Sequence, residues 1–258
     1  MTEVNLSIPD EHDAGVATIT IDRPRARNAI SLATIGALEV ALDGLARSTA
    51  RVLVLRGAGD RAFVSGGDLT DLASLQTIDS AGAMSRRMRH LLDRLAQLPV
   101  LTIAAVNGHA LGGGAEVAIA CDLRIAAGDV TMAFNQSQLA ILPAWGGIER
   151  LTALVGRSRA LELMLTPRRL AAGDALDYGL VNEVVPRENF DARVAELAAS
   201  VARLPSGVVG PIKALVDRVR PPASLSTEQQ AVDAFAAAWV DDAHWAAVEA
   251  ATSARAAR

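Results

Sequence analysis

The chain has 258 residues, 51% of them hydrophobic and 21% charged, with a formal net charge of −4 and a pI near 5.6. This length and composition fit one main core with a small appendage and argue against disorder over most of the chain. The acidic balance disfavours a nucleic-acid partner, and no run of 18 apolar residues is present to span a membrane.

The opening "MTEVNLSIPDEHD" is polar and acidic, unlike a signal peptide. The single Cys121 excludes an intramolecular disulfide and a thiolate metal cluster and suits a reducing compartment. Together these features lead us to expect a cytoplasmic protein. Of the 25 basic residues only Lys213 is a lysine, so an anionic ligand would be held mostly by arginine or by backbone N–H groups.

In chain order, "GVATITID" (15–22) alternates and reads as a strand, and Ser31 is placed to cap a helix over 32–48. "RVLVLRGAG" is a short apolar strand running into a glycine loop. A helix from about 69, interrupted near 77–82, runs to Gln97 and is stopped by Pro99. "VLTIAAVNG" is a buried-type strand, residues 107–111 a loop, "GGGAEVAIACD" a helix opening inside its glycines, and "DLRIAA" a further strand. A helix near 147–164, a strand over 179–185 and helices near 187–203, 207–219 and 225–250 complete the pattern. Strands alternating with helices predict an α/β layered core. In the last helix Val232, Phe235 and Trp239 form one stripe, which packs either on the core or on another subunit.

"ALGGGAEVAIACD" (110–122) sets three glycines ahead of Glu116. The first turn of a helix carries unpaired N–H groups and partial positive charge, and glycine lets a ligand approach that backbone. Glu116, one turn in from Gly113, would then lie beside the bound group. The alternative is that the glycines serve close packing and Glu116 is a solvated helix residue. "RAFVSGGDL" (61–69) repeats the arrangement, with Asp68 placed as an N-cap. Two such turns could each aim one N–H at a single oxygen, an oxyanion hole in which each donor is worth about 3–4 kcal/mol. The glycine spacing fits neither a dinucleotide fingerprint nor a phosphate loop, and no Gly-x-Ser-x-Gly elbow occurs.

"AFVSGGDL", "AAVNGHALGGGAEVAIACDLRIAA", "LPAWGGIERL" and "TITIDRPRARNAIS" resemble the signature segments of the enoyl-CoA hydratase/isomerase (crotonase) superfamily. The resemblance implies an α/β spiral of ββα units over 1–198 and a C-terminal helical trimerisation region over 199–258, giving homotrimers or hexamers. It implies an acyl-CoA thioester substrate, with coenzyme A arriving as part of the substrate and no separate cofactor or metal. The thioester oxygen would be held by the N–H groups of Gly67 and Gly113, and Glu116 would be the acid/base. Arg25, Ala26, Ser65 and Gly66 would contact coenzyme A. The four histidines (12, 90, 109, 244) are scattered; His109 reads as a structural loop residue, Cys121 as core, and Asp122 as an anchor for the next strand. Lys213 reads as surface, or as a contact to coenzyme A phosphates.

The sequence departs from the pattern at one position. Hydratases carry a second glutamate about twenty residues after the first, and ungapped alignment places Gln136 there. An amide can orient water or a carbonyl but cannot transfer a proton at neutral pH, and losing one acid/base costs roughly 10²–10⁴ in rate. Asp129 and Glu149 are out of register as substitutes, and Trp145 and Phe134 fall near the expected acyl pocket or in the core. Enoyl-CoA hydration leads; a decarboxylase, an isomerase or another specialised lyase follows, since loss of carbon dioxide makes the enolate without a base. A non-catalytic acyl-CoA-binding protein is the third reading, against which the retention of Glu116 argues.

Overall fold

The computed structural model describes residues 3–8, 15–205, 207–219 and 225–256, and its strands fall into two sheets whose membership alternates along the chain. Strand β1 (Val4–Ser7) lies antiparallel to β2 (Val16–Ile21), and α1 (Leu32–Ala46) follows behind a capping box of Ser31 and Thr34. Three turns of one pattern come next. The first is β3 (Val52–Gly57), β4 (Ala62–Val64), α2 (Leu69–Leu72) and α3 (Ile78–Ala96). The second is β5 (Leu101–Val106), β6 (His109–Leu111) and α4 (Gly113–Ala120). The third is β7 (Leu123–Ala127), β8 (Thr131–Ala133), a 3₁₀ turn over Gln136–Leu139 and α5 (Gly147–Leu165). Then come β9 (Leu170–Ala171), α6 (Ala172–Asp177) and β10 (Glu183–Val185), followed by α7 (Phe190–Ala202), α8 (Val209–Arg218), α9 (Leu225–Trp239) and α10 (Asp242–Ala256).

The larger sheet has the order β1-β2-β3-β5-β7-β10 and the smaller β4-β6-β8-β9. Each turn thus gives one strand to each sheet before its helix, which makes the chain a spiral of ββα units. The central strands of the larger sheet are buried on both faces, with Ile19, Leu53, Val54, Ile103 and Ala104 all in the core, as parallel strands covered on both sides require.

The smaller sheet positions the site. Strands β4 and β6 pair in parallel with Val64 opposite Ala110, and β6 and β8 pair in parallel with Leu111 opposite Ala133. Their carboxyl ends therefore lie side by side, and the segments leaving them start from neighbouring points. None of these three-residue strands was expected; three residues give too little alternation to register against flanking loops. Expected helices α1, α3, α4 and α5 are present, while the strand expected over 179–185 is confined to Glu183–Val185 and the long last helix is two, α9 and α10.

The C-terminal helices pack on the core of the same chain. Helix α9 lies along α3 and buries Val232, Phe235 and Trp239, while the Trp239 indole N–H donates to the Leu75 carbonyl (3.0 Å). The expected division at 198/199 falls within α7, which packs on β2, β3, β5 and β7. Asp122 accepts from the Thr102 N–H (2.8 Å) and from Lys213 Nζ (2.7 Å). Lys213 is thus neither free surface nor a phosphate contact in this chain, because its charge is committed to a half-buried carboxylate. Cys121 is buried, and among the described residues no helix is long and apolar enough to cross a membrane. His12 lies outside the described residues.

Close backbone packing gives the fold its first test. A Cβ added at Gly114 would overlap the Val64 carbonyl, whereas one at Gly173 would meet nothing within 4 Å. Gly114→Ala is expected to destabilise the chain by more than about 2 kcal/mol in urea unfolding, because backbone yields poorly. Gly173→Ala, near the start of α6, should be neutral or stabilising by about 0.5–1 kcal/mol.

Candidate active site

The three segments leaving β4, β6 and β8 carry Ser65–Gly67, Gly112–Gly113 and Asn135–Gln136, and all of these residues line one cavity of about 730 Å³. Gly66 and Gly112 hold φ of +107° and +55°, a region costly for side-chain-bearing residues, and each turns the chain just ahead of the next glycine. Ile30 bridges to the first turn: its N–H donates to the Gly66 carbonyl, and its carbonyl accepts from Asp68 N. The Gly67 N–H therefore faces away from Ile30. Gly113 is the first residue of α4, where no intrahelical acceptor exists. Neither the Gly67 nor the Gly113 N–H has an acceptor among the described residues.

The two turns approach each other closely. A Cβ built on Gly66 would lie 3.6 Å from the Gly113 nitrogen. One built on Gly67 would lie 3.8 Å from the Trp145 ring, and one on Gly113 would overlap the same ring. Both glycines thus border a single indole. Asp68 caps α2 as expected, accepting from Thr70 N and Asp71 N, and Arg23 pairs with it at 2.8 Å.

Glu116 is buried beneath this opening, which removes the reading of it as a solvated helix residue. Its Oε1 accepts from the Trp145 N–H (2.8 Å) and the Gly147 N–H (2.9 Å), and its Oε2 accepts from Gln136 Nε2 (2.9 Å). Gly147 opens α5, so the carboxylate also meets the positive end of that helix. Loss of hydration outweighs these contacts and pushes the Glu116 carboxyl up from 4.5 to about 7. Gln136 thus lies against Glu116, and its own Oε1 is buried without a partner.

Arg25, Ala26, Ser65 and Gly66 all border the cavity, Arg25 and Ala26 from a 3₁₀ turn over Pro24–Ala26. His109 also borders it and accepts the Thr131 N–H on Nδ1, a structural contact. Phe134 is fully buried and not part of the lining, whereas Trp145 is. Asp129, which borders the cavity, pairs with Arg187, and Glu149 pairs with Arg89; neither hydrogen-bonds to Glu116. Sequence reasoning missed the contribution of the C-terminal helices: Phe235 and Trp239 of α9 and Thr252 of α10 wall the cavity. The stripe of Val232, Phe235 and Trp239 was the available signal, but it could not say what it packed on. Among the described residues no group of three metal-ligating side chains forms.

The enoyl-CoA hydratase/isomerase family model matches residues 11–244. YngF of Bacillus subtilis is 39% identical over 200 residues, 76% of this chain and 74% of its own. A short-chain-enoyl-CoA hydratase of Clostridium acetobutylicum is 36% identical over 194 residues, 74% of this chain and 73% of its own. The crystal structure of an enoyl-CoA hydratase from Bacillus anthracis superposes with a TM-score of 0.79 at 34% identity, covering 89% of this chain and 87% of that one.

The raised Glu116 value makes stability depend on pH. The folded-state value of about 7 exceeds the unfolded 4.5, so the contribution is full below pH 4.5 and is lost as pH rises through 7. Glu116→Gln keeps the two backbone contacts and, with Gln136 flipped, the third. Its stability relative to the parent should grow between pH 4.5 and 7 by up to about 3 kcal/mol and level off above. Parallel denaturation curves at pH 5 and pH 8 would contradict this.

Proposed function

This chain belongs to the enoyl-CoA hydratase/isomerase family and is an enzyme of it, and from that premise we propose that it adds water across a trans-2-enoyl-CoA. The reading is carried by one observation: a buried carboxyl near pH 7 beside a buried, unpartnered amide oxygen, both facing a cavity that two free backbone N–H groups also border. On this reading the N–H groups of Gly67 and Gly113 hold the thioester oxygen as it gains negative charge, and such donors are worth most where water is excluded. Water donates one hydrogen bond to Gln136 Oε1 and gives its other proton to Glu116 as its oxygen bonds to the β-carbon. Glu116 returns that proton to the α-carbon, collapsing the enolate. A value near neutrality suits a group that must first accept and then release a proton.

Coenzyme A enters as part of the substrate, and Arg25, Ala26, Ser65 and Gly66 are its proposed contacts. No further cofactor or metal has a step in this scheme. The amide at position 136 favours a second reading, a decarboxylase or specialised lyase, in which bond cleavage creates the enolate and Glu116 only protonates it. We further propose a cytoplasmic homotrimer or hexamer. Support for self-association comes from the exposed apolar residues of α8 and its end, Ile212, Leu215, Val216 and Val219.

Water addition to a short trans-2-enoyl-CoA tests the main reading. Glu116→Ala is expected to lose about 10²–10⁴ in kcat, and Gln136→Glu to raise it by restoring a second acid. An unchanged rate in the first variant, with carbon dioxide released from a malonyl-type thioester by the parent, would favour the decarboxylase. Acyl-CoA binding with no turnover of either thioester would favour a binding protein. For assembly, Ile212→Asp with Val216→Asp should lower the mass in sedimentation equilibrium; a parent already monomeric would end the oligomer proposal.

A further inference from the structure

Behind the turn that holds Glu116 lies a charged chain that the scheme above does not use. Residues Trp145, Gly146 and Gly147 run between the Glu116 carboxylate on one side and the Arg150 guanidinium on the other. Arg150 Nη1 donates to the Trp145 carbonyl (2.9 Å), while the N–H groups of Trp145 and Gly147 donate to Glu116. The turn has no slack. A Cβ on Gly147 would come within 2.6 Å of Glu116 Oε1, and one on Gly146, at φ +92°, would overlap Arg150 Nη1. Arg150 in turn pairs through Nη2 with Asp93 of α3. Exposure rises along the chain, from 2% for Glu116 to 11% for the Arg150 side chain and 42% for that of Asp93.

We propose that Asp93 and Arg150 are positioning residues that set how readily Glu116 gives up its proton, Arg150 by fixing the turn and opposing the carboxylate with its charge, Asp93 by partly cancelling that charge. Among the described residues no other cation hydrogen-bonds to this turn. The charged groups packed around Arg150 are Asp93 and Arg89 of α3 and Glu149 of α5. Arg89 is itself paired with Glu149 and lies 3.9 Å from Glu228 of α9. From the 3₁₀ turn comes Gln136, which is neutral, and His244 of α10, bound to the Leu139 carbonyl, is held toward its neutral form by burial. Burial disfavours the charged form of Arg150, but a guanidinium keeps its proton, so Asp93 balances that charge without being needed to maintain it.

The arrangement makes two variants push in opposite directions. Arg150→Met removes the cation and should raise the Glu116 titration midpoint by on the order of one pH unit. Asp93→Asn keeps the shape, frees the Arg150 charge to act on Glu116, and should lower the midpoint by about a few tenths of a unit, the solvent-facing charge being partly screened. Arg150→Lys should fall between the parent and Arg150→Met. The readout is a ¹³C-carboxyl NMR titration of glutamate-labelled full-length protein, with Glu116→Gln assigning the resonance.

A purely structural role for the pair predicts lower stability in all variants and no opposed displacement. Midpoints that stay put, or move the same way in Arg150→Met and Asp93→Asn, would overturn the proposal; if Arg150→Met does not fold, the opposed shifts of Asp93→Asn and Arg150→Lys decide. The catalytic consequence rests on reading Glu116 as the acid/base. Enoyl-CoA hydration should show its pH profile displaced as the NMR midpoints are; midpoints that move without the profile would overturn that reading and leave the relay standing.

Discussion

The register of the smaller sheet is the constraint on which the site depends. Because β4, β6 and β8 are parallel neighbours, their carboxyl ends open on the same edge, and three segments far apart in sequence begin about 4.8 Å from one strand to the next. Glycine then does what no other residue could at two of those exits, turning the backbone through positive φ and allowing α4 to start against β4. The amides of Gly67 and Gly113 are left without acceptors for different reasons. One faces away from its bridge partner, and the other is the first of a helix. Both follow from how the chain leaves a strand, so these two donors are built into the backbone.

Glu116 shows the opposing pressures on such a site. Taking a carboxylate out of water is costly, and three hydrogen bonds with a helix N-terminus recover only part of that cost, leaving the group near neutrality. A fully compensated carboxylate would stay ionised and make a poor proton donor, while a bare one would stay protonated and make a poor base. Gln136 contributes to this middle position, since its amide favours the ionised form without adding a second negative charge. Phe235 and Trp239 wall the same cavity, so the helix that carries the apolar stripe also shapes the site.

Much of this was legible in the residues. Runs such as "VLTIAAV" and capping patterns such as Ser31 with Thr34 mark the larger sheet and its helices, because their signals are local and several residues long. The pairing of Glu116 with Gln136 was legible through spacing within a family resemblance. The smaller sheet was not legible, as its strands are two or three residues each and owe their existence to their neighbours. Nor was the commitment of Lys213 to Asp122, or of Arg150 to Trp145, since a cation in a sequence carries no sign of which carbonyl or carboxylate it will reach. The break between α9 and α10 was hidden for a related reason: it is enforced by Trp239 and His244 packing against each other, a contact across the turn.

A site in which Glu116 alone transfers protons, as proposed above, also limits the chemistry it can support. With two carboxyls, one can hold a proton while the other takes one; here any proton removed at Glu116 must leave from Glu116, because Gln136 can only donate or accept a hydrogen bond. Hydration satisfies that restriction, since the proton taken from water is the one the α-carbon needs, and a single group sees it through with no net change. Decarboxylation satisfies it too, by needing only a donor. Moving a proton between the α- and γ-carbons satisfies it only where Glu116 reaches both, since the group that takes the proton must also return it. On the proposed roles, the amide at position 136 bears on the family's reactions by counting protons, without reference to the shape of the acyl group.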